Sequence, residues 1–204
     1  MASTYHEILP NSDDADSSND WSVQSSILFD DLHSCLASTT STRYIKSSTN
    51  GVRNYFGFEN LSVTPTTTPP IHHIQYVFTY SSDTASETFS LFVGIVDGGD
   101  SDTILWSDSI TLTAPSNTGK VNTYTSPIFP YHSGTTAWSV DNINDLKVFI
   151  RLLDNDTGGS ASSVINIKTF KYLVTTNDSD STAISTYPAK KGMKVSRGVI
   201  NIGD

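Results

Sequence analysis

Residues able to do chemistry are few and scattered in this chain. The five histidines are His6, His33, His72, His73 and His132. No HExxH motif occurs, and no two histidines are spaced to share a metal with a nearby cysteine. His72 and His73 are adjacent, so in a strand they point to opposite faces and share no ion. Carboxylates crowd three stretches: Asp97, Asp100 and Asp102; Asp154 and Asp156; and Asp13, Asp14, Asp16 and Asp20. Closely spaced loop aspartates can offer oxygen ligands to calcium, and Asp97, Asp100 and Asp102 are the weak candidates. None follows the spaced acidic pattern of a calcium loop, so the expectation is solvated turns and no metal. A glycosidase pair of acids would have to come from such loops or from a hydroxyl-rich strand face. No GxSxG, P-loop or GxGxxG is present. The expected catalytic set is therefore empty, with no cofactor and no enzymatic activity. Cys35 stands alone, excludes an internal disulfide and reads as a small buried residue.

Binding devices are better represented. Tyr55, Phe56, Phe58, Tyr124, Tyr131 and Trp138 could form a sugar-stacking platform, with core packing as the plain alternative. The tail carries Lys190, Lys191, Lys194 and Arg197 beside Val199 and Ile200, which makes it a candidate interface. The first 31 residues hold seven acids and no Lys or Arg, so an acidic subunit surface is a natural counterpart. The net charge of -9 disfavours nucleic acid as a partner. Charged residues make only 16% of the chain while Ser and Thr fill 57 of 204 positions, which predicts a hydroxyl-rich surface. No apolar run is long enough for a helical membrane span, so no membrane is expected. The start MASTYHEILP has neither a basic n-region nor an apolar h-region, which predicts synthesis in a host cytoplasm.

These residues must be positioned by strands. In the stretch 72–113, Ile74, Tyr76, Phe78 and Tyr80 alternate with Gln75, Val77 and Thr79, and Phe89, Leu91, Val93 and Ile95 alternate with Ser90, Phe92, Gly94 and Val96. Trp106, Ile110 and Leu112 follow. Side chains two apart share a face, so the spacing predicts a three-strand meander with one apolar wall. Another layer must cover that wall. Thr4–Leu9 is a strand stopped by Pro10, followed by an acidic loop. Leu28, Leu32 and Leu36 have helical spacing, which predicts one short helix near 27–36 with Ser26 as cap. Tyr44–Ser47 and Arg53–Phe58 flank Asn50-Gly51, a hairpin signal. Lys120–Phe129 is a strand ended by Pro130. A turn and helical step at 138–146 puts Trp138, Ile143 and Leu146 inward. Lys147–Leu153 is a strand, and Val164–Thr175 is the last one, with a phase slip that predicts a bulge. The fold class is all-β: a two-sheet antiparallel sandwich, jelly-roll-like, with about eight or nine strands. Residues 1–175 form the sandwich domain, and 176–204 form a polar linker and an extended basic arm.

The run Tyr5-His-Glu-Ile-Leu-Pro-Asn11, an acidic loop and Trp21 resembles the start of small β-sandwich virion proteins of tailed phages and environmental viruses. Leu28-Phe-Asp-Asp-Leu32, Tyr44-Ile45 and the step from Trp138 to Val148 extend the likeness over roughly residues 5–175. The resemblance implies a structural role in a virion, as head decoration, minor capsid or tail component. It implies oligomerisation and docking on other virion proteins, and brings no catalytic residues. A carbohydrate-binding module or receptor-binding tail tip, with glycan as partner, is the alternative. A β-sandwich hydrolase comes third.

Overall fold

The computed structural model describes residues 2–13, 21–24, 31–38, 42–47, 54–62, 68–98, 103–154 and 164–178. Among them the chain forms β1 (Ala2–Ile8), β2 (Pro10–Asp13), β3 (Ser22–Gln24), α1 (Leu32–Ala37), β4 (Tyr44–Ser47), β5 (Asn54–Phe58) and β6 (Ile71–Ser82). It continues with β7 (Thr88–Asp97), β8 (Thr103–Thr113), β9 (Asn122–Thr125), α2 (Val140–Asn144), β10 (Leu146–Asp154) and β11 (Ile165–Asp178). One sheet runs β3-β4-β11-β6-β9, with β1 also paired to β11, and the other runs β2-β5-β10-β7-β8. Every pairing is antiparallel.

The pairings nest. β7 pairs with β8, β6 with β9, β5 with β10 and β4 with β11. A long hairpin of eight strands has been rolled up, which is the jelly-roll arrangement. Strands β1 to β3 add to its margins. The two-sheet antiparallel sandwich read from the sequence is therefore the fold.

Strand partners depart from the expected ones. The meander is divided: β6 lies in the six-stranded sheet, while β7 and β8 form a hairpin in the other. Asn50-Gly51 lies outside the described residues, and the strands flanking it, β4 and β5, lie in different sheets and do not pair as the expected hairpin. Alternation fixes which face is apolar and is silent on neighbours. Pro10 does not end the extended chain, since Pro10–Asp13 forms β2 at a sheet margin, where a missing donor is tolerated. The helix is capped at Asp31, whose side chain makes no cap bond. Instead Asp13 of β2 accepts from the His33 backbone N–H at 2.8 Å. Ser26 lies outside the described residues.

Both inner faces are apolar. Tyr76, Phe78, Phe170 and Tyr172 of one sheet meet Phe56, Phe89, Leu91, Val93, Val148 and Ile150 of the other, all 1% exposed or less. The expected bulge in β11 falls between Ile167 and Thr169. Trp138, Ile143 and Leu146 are buried as expected. Ser139 caps α2 by accepting from the Asn142 N–H, and the Asn142 side chain accepts in return from the Ser139 N–H. Among the described residues no helix is long and apolar enough to cross a membrane.

Candidate functional site

Inward packing on one face decides what the other face presents. In β6, Ile74, Tyr76, Phe78 and Tyr80 are buried, so His73, Gln75 and Val77 stand on the outside. β11 lies between β1 and β6, with Tyr172 and Val174 inward and Lys171, Leu173 and Thr175 outward. Register then sets cross-strand rows. Tyr5, Thr175 and His73 form the first row, and Glu7, Leu173 and Gln75 the second. Lys171, Val77 and Thr125 form the third, which reaches β9. These nine residues line a groove of about 330 Å³ across four neighbouring strands.

The groove is electrically balanced. Lys171 Nζ donates to Glu7 Oε1 at 2.5 Å, and the Tyr5 hydroxyl donates to the same oxygen at 3.4 Å. Gln75 Nε2 donates to the Ser126 carbonyl at 3.0 Å, which fixes the amide. His73 Nε2 lies 3.1 Å from Thr175 Oγ1, and its Nδ1 lies 2.6 Å from His72 Nδ1. One of those two Nδ1 atoms must be protonated and the other bare. Burial first, and the His72 ring second, hold His73 below the ordinary imidazole range. Tyr5 is 40% exposed and offers a ring at the rim. Val77 and Leu173 give the groove apolar ground between its polar groups.

The His72–His73 contact corrects the sequence reading, which put the two rings on opposite faces. Thr175 pairs with His73, but Thr176 pairs with Ile71, so His72 is an extra residue in the ladder. A bulge breaks alternation locally, and the rings meet edge-on at 4.9 Å.

The other expected site residues disperse. Asp97 ends β7, and its Oδ2 lies 3.3 Å from His132 Nε2. Asp100 and Asp102, its proposed calcium partners, lie outside the described residues, as do Asp14, Asp16, Asp20 and Asp156. Asp13 holds α1 through His33 rather than a metal. His6 Nε2 sits 3.2 Å from Thr176 Oγ1. Among the described residues no three His, Cys, Asp or Glu side chains cluster to hold an ion. Lys190, Lys191, Lys194, Arg197, Val199 and Ile200 lie outside the described residues. The aromatic platform is broken by strand parity and packing: Phe56, Phe58 and Trp138 are buried, Tyr55 faces the other way, Tyr124 packs half-buried against Tyr76 and Phe78, and Tyr131 is exposed in the segment after β9. Cys35 is buried.

The sequence reading missed Tyr5, Glu7, Gln75 and Lys171. The signal available was the spacing of Tyr5 and Glu7, two apart on a strand whose opposite phase ends in Ile8. Nothing local links them to Lys171, which is brought close by strand pairing alone.

No family model matches the sequence, and no match is found among curated proteins. Solved structures of similar shape include TmCBM61 in complex with β-1,4-galactotriose, at 10% identity and TM-score 0.36, covering 82% of this chain and 86% of that one. A glycoside hydrolase-like protein from Bacteroides vulgatus ATCC 8482 has 10% identity and TM-score 0.40, covering 74% and 76%. A CBM4 structure has 10% identity and TM-score 0.34, covering 68% and 86%. Likeness at this level assigns neither a ligand nor a reaction to this chain.

Proposed function

We propose that the chain is a non-enzymatic glycan-binding module that seats a neutral saccharide in the outer groove of its six-stranded sheet. The observation that carries this reading is the groove's composition in register. A rim tyrosine, apolar ground at Val77 and Leu173, and fixed amide, imidazole, hydroxyl and ion-paired groups share one open surface. A sugar ring has an apolar C–H face and an edge of hydroxyls that both donate and accept. It uses all of these at once. The Glu7–Lys171 pair leaves no net charge from these two groups, which favours a neutral ligand over an acidic or basic one.

The same geometry speaks for binding over catalysis. Thr175 and His73 make a hydroxyl–imidazole contact, but acyl transfer also needs free donors for an oxyanion. Around Thr175, β11 has β1 on one side and β6 on the other, so its backbone N–H groups serve the ladders. The test is affinity electrophoresis in galactan, glucan, mannan and xylan. The native chain should be retarded in at least one gel. Tyr5→Ala and Gln75→Ala should each weaken that retardation about tenfold, equivalent to ~1.4 kcal/mol. A native chain that migrates freely through all four polymers ends this reading.

Subunit docking in a virion is the second reading, and a different surface favours it. Ile104, Val121, Ile128 and Tyr131 are large apolar side chains left 36–54% exposed. Light scattering over a concentration series tests it: a defined oligomer is expected, and a monomer throughout removes it.

A further inference from the structure

The groove crosses its sheet from one edge to the other. Its lining comes from β1, β11, β6 and β9, in that spatial order. β1 pairs with β11 alone and β9 with β6 alone, so among the described residues both outer strands of the crossing are sheet edges. Neighbouring strands in a sheet lie about 4.8 Å apart, so the crossing from β1 to β9 spans about 14 Å. One sugar ring does not fill that length, and several in line do.

The edge at β9 continues past the groove. After Thr125 the chain stays beside β6. The Ser126 N–H donates to the Tyr76 carbonyl at 2.9 Å, and Phe129 and Ile74 exchange backbone bonds at 2.9 and 3.1 Å. Gln75 of the groove reaches the same segment through its bond to the Ser126 carbonyl. Phe129 turns inward and is 8% exposed, so Ile128 before it turns out, and it is 54% exposed. Tyr5 stands at the opposite edge and is also exposed. The crossing therefore has a large apolar side chain at each end, with Leu173 and Val77 between them. An apolar side chain left this open contributes free energy when a ligand covers it.

Building on the glycan-binding reading of this groove, we infer that it takes the interior of a linear polysaccharide, which enters over Tyr5, crosses the ground of Leu173 and Val77 and leaves over Ile128. A site for a chain terminus needs a wall that stops the last ring, and here both ends of the crossing are strand edges. Ile128 offers a C–H contact to a sugar beyond the groove itself. The fixed Gln75 amide and the paired Glu7 and Lys171 address hydroxyls of the rings between the two ends. Affinity therefore accumulates with ligand length and does not depend on a free chain end.

The experiment titrates the full chain by calorimetry with linear oligosaccharides of galactose, glucose, mannose and xylose, each from the disaccharide to the hexasaccharide. In the series that binds, affinity should rise about tenfold or more from the shortest to the longest. Reducing the terminal sugar of the hexasaccharide to its alditol should leave its affinity unchanged, because no terminus is read. Ile128→Ser should weaken hexasaccharide binding about fivefold through the lost apolar contact and leave disaccharide binding unchanged. Ile128→Leu keeps that contact and should bind like the native chain. Ile128 is more than half exposed, so both variants should keep the native urea midpoint. Three results overturn the inference and leave the groove reading standing: a disaccharide that binds as tightly as the hexasaccharide, loss of binding on reduction, or native hexasaccharide affinity in Ile128→Ser. No heat of binding with any of the four series ends both.

Discussion

The two outer faces of the sandwich are built by one rule and end in opposite chemistry. On the six-stranded sheet the outward phase carries Gln75, Val77, Lys171 and Leu173 around an open groove. On the five-stranded sheet the outward phase carries Tyr55, Phe149 and Gly94 in a single cross-strand row, with Phe92 nearby. Phe149 packs against Gly94, where an added Cβ would sit 2.1 Å from its ring. Tyr55 and Phe92 flank it with centroids 5.7 and 5.2 Å away. The ring is fully buried although it stands on an outer face. A glycine opposite an aromatic seals one sheet, while medium-sized polar side chains leave the other open. Outward phase alone does not mean exposure.

The comparison breaks most easily at the sealed face. Phe149→Ala should cost about 3–5 kcal/mol, as for other buried aromatics, in a urea melt. A cost near zero would mean the ring contributes no packing, and the contrast would fail. Gly94→Ala should cost less, about 1–3 kcal/mol, because the ring must tilt away from the new methyl group. The double variant Gly94→Ala/Phe149→Leu should recover part of that loss. Additivity of the two changes would show that they do not share a site. None of these changes should alter saccharide binding in the groove.

Much of this was legible beforehand. The apolar phases of β6, β7, β10 and β11 name the inner faces directly, and the slip at Ile167–Thr169 shows in the spacing. Which strands meet was not legible. β6 and β7 have the same pattern and nearly the same length, and a short polar connector serves a hairpin or a crossing between sheets equally well. The groove was lost for the same reason, since Glu7 and Lys171 are 164 residues apart and meet only through β1–β11 pairing. Of the six aromatics singled out by type, Phe56, Phe58 and Trp138 pack in the core, as the plain alternative expected, and type alone does not reveal which phase each takes. Phe56 and Phe58 share the inward side of β5, and Tyr55 alone faces out. The doubled histidines misled because a bulge cancels alternation where it was assumed.

Acid sharpens the open side of the comparison. His73 is held below its ordinary value of 6.5, so the unfolded chain binds the proton at a higher pH than the folded one. In that window stability rises with pH. The contribution is fully present above 6.5 and is lost as pH falls through the folded value. Urea midpoints should therefore drop on acidification below 6.5, and His73→Gln should flatten that drop. Saccharide affinity in the groove should fall in the same range, because protonating both rings breaks the Nδ1–Nδ1 hydrogen bond. An unchanged slope in the variant would assign the effect to another group.

The smallest effect on stability tests the ligand class most closely. Glu7 and Lys171 are paired but partly exposed, and such a pair contributes about 0–1 kcal/mol to folding. Glu7→Gln should thus leave the urea midpoint almost unmoved. It frees the lysine ammonium inside the groove, and an acidic sugar then has a counter-charge that the native chain neutralises. Oligogalacturonate should bind the variant better than the native chain at low salt, with the gain erased as salt is added. Equal binding to both would mean that the paired charges do not select the ligand, and the preference for neutral saccharides would have to come from groove shape alone.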